Sequence, residues 1–249
     1  MTTPLVDRIR RGEYLRGTFL NLGSALVAEV CALGGCEWLL VDLEHGAGGE
    51  EGLLGQVLAA RAHGVPVIAR TESAERIRVG HLLDLGVEGV MFPRLDTPDE
   101  VRRALSHLWY PPRGDRGIAG YNRARQFGGD GLRLDQVNDG LCALVQVESV
   151  SALENLEEIA GIEGVDVLFI GPADLSAALG VPGQLTHPRF VEAMDRVVET
   201  ALRHGVAAGI LVGDPNLVEA ARERGFSFVS VGSDSSLLRG ALRQAFSLE

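Results

Sequence analysis

The chain of 249 residues contains no lysine, so arginine supplies all 23 of its basic side chains. Schiff-base carbonyl chemistry, covalent attachment of pyridoxal phosphate and the phosphate-binding lysine of Walker-type proteins all need a side-chain amine and are therefore excluded. The nucleophile elbow G-x-S-x-G is also absent. Carbonyl chemistry performed by this protein is therefore expected to use a metal ion, with a nucleophilic Cys or Ser triad as the alternative that stays open.

Positive charge and cysteine are scarce as well. The 34 acidic residues outnumber the arginines and give a formal charge of −11. This charge argues against nucleic acid and anionic membranes as partners, because both require a basic protein surface. No apolar run reaches the length of about 18 residues typical of a membrane span, and residues 1–16 do not form a leader, so we expect a cytoplasmic protein. Three cysteines form neither an even-numbered disulfide framework nor a zinc spacing, so Cys31, Cys36 and Cys142 are expected to be free core thiols.

Short apolar runs alternate with helical patterns along the whole chain. Eight such runs predict strands, and an alternation of this kind favours a closed (β/α)8 TIM barrel in a single domain, residues 1–249. The predicted strands cover residues 17–20, 38–42, 66–70, 89–93, 142–148, 165–170, 207–212 and 228–232. Residues 110–131 form the longest irregular stretch, which is too long for a plain connector and predicts a functional loop.

Two acids follow neighbouring predicted strands: Glu148 ends strand five and Asp174 comes just after strand six. Gln146 points the same way as Glu148, because side chains alternate along a strand. An inward-facing carboxylate on a parallel strand is costly unless a cation meets it, which favours a hard divalent metal. The turn at residues 171–173 aims backbone N–H groups, including that of Ala173, at the same place and suggests an anion seat. The alternative for each acid is an ordinary cap or surface residue.

A second polar cluster is predicted at the ends of strands two and three. His45 follows Asp42, which could orient the imidazole ring and hold one tautomer, as expected for a general acid or base. Arg70 ends a buried strand. It is interpreted as a donor to a developing oxyanion, as the partner of a structural salt bridge to Asp42, Glu44 or Glu148, or as both. Glu44 is interpreted either as an acid that holds metal-bound water or as a surface residue. Leu211, on strand seven, reaches the same mouth of the barrel.

Five motifs occur in order: V-D-L-E-H-G at 41–46, P-V-I-A-R at 66–70, Y-P-P-R-G-D-R-G at 110–117, V-Q-V-E at 145–148 and F-I-G-P-A-D-L-S at 169–176. In this order and spacing they resemble the HpcH/HpaI family of class II aldolases, over nearly the whole chain. The resemblance implies metal-dependent, reversible cleavage of 4-hydroxy-2-oxo acids, such as 4-hydroxy-2-oxoheptanedioate or 2-keto-3-deoxy sugar acids, to pyruvate and an aldehyde.

The same resemblance assigns roles by position. Glu148 and Asp174 would ligate Mg²⁺, Mn²⁺ or Co²⁺, and Arg70 and Gln146 would contact the pyruvyl unit. His45, oriented by Asp42, would be the acid or base. Ala173, Asp174 and Leu211 would line the substrate site. Two departures, Leu43 and the G-Y-N-R-A-R loop at 120–125, leave the aldehyde unidentified.

The resemblance also implies a hexamer whose last helix packs on a neighbouring subunit. Asp84 matches a family acid near the subunit interface, with an ordinary helix-surface acid as the alternative. Three other functions stay open on the same scaffold: an oxo-acid decarboxylase, an acyl-CoA-type carbon–carbon lyase and a non-catalytic metabolite-binding barrel.

Overall fold

Eight parallel strands close into a barrel in the computed structural model of the protein, which describes residues 3–129, 131 and 133–246. Each strand pairs with its sequence neighbours, and β1 also pairs with β8, which closes the ring. The strands are β1 (Leu15–Leu20), β2 (Trp38–Asp42), β3 (Val67–Arg70), β4 (Gly89–Phe92), β5 (Cys142–Val147), β6 (Val167–Ile170), β7 (Ala207–Val212) and β8 (Phe228–Ser233). The predicted (β/α)8 barrel is confirmed.

Helices connect the strands and cover the outside of the barrel. They are α1 (Leu5–Arg10), α2 (Ala25–Leu33), α3 (Glu50–Ala62), α4 (Arg76–Asp84), α5 (Pro98–Ser106), α6 (Leu134–Asp139), α7 (Val150–Glu154), α8 (Leu156–Ala160), α9 (Pro172–Ala178), α10 (Pro188–His204), α11 (Val218–Arg224) and α12 (Asp234–Ala245). No helix within the described ranges combines the length and apolar character needed to cross a membrane.

Two helical features differ from the prediction. The short helix α6 was not predicted, because six residues are too few to show a clear helical period. Residues 150–160 have one continuous helical pattern in the sequence, but they form two short helices divided at Asn155, whose backbone leaves the helical region. The side-chain amide of Asn155 donates to the backbone oxygen of Asp96 at 2.9 Å and ties this break to the loop after β4.

The strands separate two apolar cores by simple alternation of their side chains. One core lies between the sheet and the helices and takes, for example, Val41 and Ala69. The other fills the barrel lumen and takes Leu40, Ile68 and Leu144, which lie one residue away from outward-facing positions. The lumen of the barrel is therefore a packed core rather than a channel.

Large aromatic side chains in the lower lumen determine where glycine must occur. Trp38 stacks on Phe228 with ring centroids 4.2 Å apart, and both rings are fully buried. A Cβ atom at Gly17 on the adjacent strand would lie 2.2 Å from the Trp38 ring. Helix α1 packs its buried Leu5 against the same cluster and closes this end of the barrel. The residues left for chemistry therefore lie at the opposite, carboxyl-terminal end.

Candidate active site

The lumen-facing rows of side chains change from apolar to polar at the carboxyl ends of three strands. The next inward position after the apolar layers is Asp42 on β2, Arg70 on β3 and Gln146 on β5, and Glu148 follows directly after β5. All four are buried, with between 2% and 9% of their surface exposed. Side chains that are distant in sequence thus form one polar layer above an apolar core.

Arg70 is held in this layer by two acids and one ring. Its Nε and Nη2 atoms donate to the two carboxylate oxygens of Asp42 at 2.9 and 2.6 Å, which is a bidentate pair. Its Nη1 atom lies 3.2 Å from Glu44. The guanidinium carbon also lies 5.3 Å from the ring centroid of Phe19 in β1. The predicted structural salt bridge of Arg70 is therefore present.

The prediction that Asp42 orients the imidazole ring of His45 is wrong in this structure. The Asp42 Oδ1 atom accepts the backbone N–H groups of Glu44 and His45 at 3.1 and 3.2 Å, and both of its oxygens accept from Arg70. The His45 side chain is 68% exposed, and its Nε2 atom lies 3.8 Å from Glu44. Asp42 therefore sets the path of the loop that carries His45, and Glu44 is the acid near the ring.

Glu148 accepts hydrogen bonds from neutral donors. Its Oε2 atom accepts from the amide of Gln146 at 3.0 Å, and its Oε1 atom accepts from the backbone N–H of Arg94 at 2.9 Å. Burial raises the pKa of the Glu148 carboxyl, and the charges of Asp174 and Glu44 act in the same direction. The carboxylate charge of Glu148 is thus only partly compensated by the surrounding protein.

The donor set around Glu148 fits a divalent cation. Glu148 and Asp174 supply carboxylate oxygens, and the side-chain oxygen of Gln146 is buried without a hydrogen-bond partner. A Cβ atom at Gly171 would lie 2.8 Å from Glu148 Oε2 and 3.0 Å from Gln146 Nε2, so glycine keeps this space open. Among the described residues, no group of three or more His, Cys, Asp and Glu side chains forms a closed metal cage. Such a cation would therefore keep open positions for other ligands.

The remaining predicted residues occupy different places. Ala173 and Asp174 are exposed in the first turn of α9, on the chain that leaves β6 beside Glu148. Leu211 is partly buried and packs against the lumen core. Asp84 ends α4 and accepts from Arg116 at 2.7 Å, so in a single chain it anchors the long loop. A role of Asp84 at a subunit interface stays a prediction.

Sequence reasoning missed Arg94 and Phe19. Arg94 follows β4 with a left-handed backbone (φ 53), a conformation uncommon for residues other than glycine, and its N–H contacts Glu148. Its position after a strand that ends in proline was the available signal. Phe19 lies beneath Arg70 but was interpreted only as part of a buried strand.

The Asp42–Arg70 pair leads to a stability prediction. Asp42→Ala removes the two oxygens that accept from the buried Arg70 guanidinium and the two hydrogen bonds from the backbone of Glu44 and His45. The free energy of unfolding measured in urea should therefore fall by about 3–5 kcal/mol. Asp99→Ala is the control, because it removes an ion pair with Arg102 whose side chains are 88% and 51% exposed. That variant should change stability by no more than about 1 kcal/mol. Equal effects of the two substitutions would contradict the assignment.

Comparison with known proteins agrees with this geometry. Residues 15–241 match the family model described as HpcH/HpaI aldolase/citrate lyase. The chain is 38% identical to the 2-keto-3-deoxy-L-rhamnonate aldolase of Escherichia coli O157:H7, over 100% of this chain and 93% of that protein. Among solved structures, an HpcH/HpaI aldolase/citrate lyase family protein from Burkholderia cenocepacia J2315 superposes with a TM-score of 0.93 at 38% identity, covering 98% and 97% of the two chains. An HpcH/HpaI aldolase from Desulfitobacterium hafniense DCB-2 gives 0.91 at 29% identity, covering 99% and 96%. The chain belongs to the HpcH/HpaI aldolase/citrate lyase family and is a carbon–carbon lyase of the aldolase type.

Proposed function

We propose that this aldolase reversibly cleaves a 4-hydroxy-2-oxo acid to pyruvate and an aldehyde, with a divalent cation held by Glu148 and Asp174. The observation that carries the proposal is Glu148, a buried carboxylate that receives only neutral hydrogen-bond donors and lies in the same layer as Arg70. A negative charge in this position calls for a cation, and carboxylate oxygens suit Mg²⁺, Mn²⁺ or Co²⁺. When bound, the cation would act as a Lewis acid that polarises the carbonyl group of the oxo acid.

Arg70 is positioned to stabilise charge on the substrate. Asp42 accepts two of the five N–H bonds of its guanidinium, and Glu44 lies 3.2 Å from Nη1, so N–H groups remain for a ligand. As the bond between C3 and C4 breaks, negative charge develops on the oxygen of the pyruvyl unit, and a preorganised donor at that oxygen lowers the barrier. Gln146 and the backbone at Ala173 would hold the oxo-acid end, with Leu211 as an apolar wall.

His45 is proposed to take the proton from the C4 hydroxyl group during cleavage. Its ring is exposed at the barrel mouth, where an aldehyde can leave, and the Glu44 carboxylate near Nε2 stabilises the imidazolium that forms. The similarity to a 2-keto-3-deoxy-L-rhamnonate aldolase points to sugar-derived oxo acids as the first substrates to test.

The metal assignment predicts loss and recovery of both activity and stability. Removing the cation with a chelator should abolish pyruvate release from 2-keto-3-deoxy-L-rhamnonate, and Mn²⁺ or Mg²⁺ should restore it. The added cation should also raise the melting temperature of the wild-type protein, because it binds only the folded state. Glu148→Gln and Asp174→Asn should lose both effects, whereas Glu154→Gln, on α7, should keep them.

The stabilisation by Mn²⁺ should also depend on pH. Because the pKa of Glu148 is raised by burial, its carboxyl takes up a proton at a pH above the ordinary value, and the protonated form binds the cation poorly. The melting-temperature shift should therefore shrink as the pH falls towards that raised pKa. Full activity after exhaustive chelation, or in Glu148→Gln, would contradict the metal site.

The proposed base predicts a separation of two reactions. Oxaloacetate decarboxylation forms the same pyruvate enolate but requires no removal of a hydroxyl proton. His45→Ala should therefore reduce aldol cleavage by about 10²–10⁴-fold and decarboxylation much less. His81→Ala is the matched control, since His81 is an exposed histidine on α4 whose Nε2 atom lies 3.1 Å from Glu50. An equal loss of both reactions in His45→Ala would show that His45 is not the base.

We further propose a homo-oligomer in which α12 packs on a neighbouring subunit, as a hexamer by resemblance to the family. Helix α12 exposes an apolar stripe that water disfavours, and α2 exposes another. The stripe on α12 comprises Leu237, Leu238, Leu242 and Phe246, which are 37%, 53%, 48% and 70% exposed. The stripe on α2 comprises Leu26, Val30 and Leu33, which are 73%, 67% and 69% exposed.

A pair of substitutions on α12 tests this assembly. Leu238→Asp combined with Leu242→Asp should yield smaller particles in sedimentation velocity, because charges would replace the buried apolar contact. Arg239→Asp changes an exposed polar position of the same helix and should leave the assembly intact. A wild-type protein that sediments as a monomer would refute the proposal.

A further inference from the structure

Cys31 and Cys36 lie in the C-terminal cap of α2, which brings the two residues together. The helix ends at Leu33, and Gly35 takes a left-handed backbone with φ 93. The N–H of Gly35 donates to the carbonyl oxygen of Ala32, and the N–H of Cys36 donates to that of Cys31, both at 3.3 Å. This pair of bonds defines a Schellman motif, in which the third residue from the helix end contacts the second residue beyond the cap.

Among the other described helices that end in this way, three have apolar pairs at the two equivalent positions. The corresponding backbone bonds, from the residue beyond the cap to the helix, measure 3.0–3.1 Å. The pairs are Ala60 with Val65 after α3, Ala201 with Val206 after α10, and Ala221 with Phe226 after α11. The cap of α2 thus places two thiols where these other caps place an apolar contact.

The two thiols are unequal. Hydrogen bonding with Cys36 raises the pKa of Cys31, and the same interaction lowers the pKa of Cys36, helped by the charge of Arg16. Because the thiolate is the reactive form of cysteine, Cys36 is the better nucleophile and Cys31 the group that follows it. Both side chains are only partly buried, at the edge of the outer core.

Cys31 lies away from the apolar stripe that α2 exposes, and both cysteines lie away from the catalytic site. At about 100° per residue, Cys31 lies roughly 130° round α2 from the exposed stripe of Leu26, Val30 and Leu33. The cap leads into the start of β2, whereas Asp42 is at its far end. The third cysteine, Cys142, is fully buried in the lumen, where desolvation raises its pKa. It provides an internal control.

We propose that Cys31 and Cys36 form a redox-active dithiol that closes to an intramolecular disulfide on reaction with a small-molecule disulfide. The Cys36 thiolate attacks one sulfur of the reagent, which forms a mixed disulfide and releases one thiolate. Cys31 then gives up its proton and attacks the Cys36 sulfur, which expels the second thiolate. The protein dithiol is oxidised, the reagent is reduced to two thiols, and no other reactant is needed.

Oxidised glutathione and mass spectrometry of the full-length protein test this proposal. The treated protein should lose the mass of two hydrogen atoms, and the thiols that can be alkylated after denaturation should fall from three to one. The mass loss should map to one tryptic peptide, residues 17–61, because trypsin cleaves after Arg16 and Arg61 and no arginine or lysine lies between them. Treatment with dithiothreitol should reverse the change.

Three variants separate the steps. Cys31→Ser should stop at the mixed disulfide and gain the mass of one glutathione at Cys36. Cys36→Ser should react more slowly than Cys31→Ser, and Cys142→Ser should oxidise like the unchanged protein. Retention of three free thiols would overturn the proposal, as would a mixed disulfide that persists when both cysteines are present, because Cys31 would then be unable to reach Cys36.

Discussion

The ion pair between Arg70 and Asp42 is the constraint on which the upper end of the barrel depends. Arg70 is only 9% exposed, and a buried guanidinium is costly unless its donors have acceptors; Asp42 accepts two of them in a bidentate pair. The same carboxylate accepts the backbone N–H groups of Glu44 and His45. Fixing Arg70 therefore also fixes the loop after β2, so the donor and the proposed base share one support.

Charge balance connects this pair to the proposed metal site. Arg70 is engaged by Asp42 and Glu44, so its charge is largely neutralised before Glu148 is considered. Glu148 remains buried near two further negative groups, Asp174 and Glu44, and its pKa is raised mainly by burial. A lysine could have compensated this charge, but the chain contains none. A divalent cation would supply the missing positive charge, so that Arg70 need not compensate Glu148 as well.

Strand alternation made the fold and the polar layer predictable, because a period of two assigns each residue to the lumen or to the helices. Gln146 and Glu148 could be placed together on this basis, and their hydrogen bond confirms it. Loop geometry carries no such period. The ring of His45, the left-handed backbone of Arg94 and the short helix α6 all lie in the connections between strands, where the strand period assigns no side. For this reason the partners of Asp42 were assigned wrongly although its position was right.

The stretch from β6 into α9 shows how packing and chemistry restrict the same few residues. Phe169 fills the lumen and Ile170 the outer core, so the register of β6 is fixed from both sides. That register places Gly171 against the Glu148 carboxylate, where even one added carbon would lie within 2.8 Å of Oε2. The helix that begins at Pro172 then carries Asp174 in its first turn, close enough for its charge to act on Glu148. A shift of β6 by a single residue would put a side chain into the space that the cation and the oxo acid need, so the lumen packing of Phe169 holds the proposed site open.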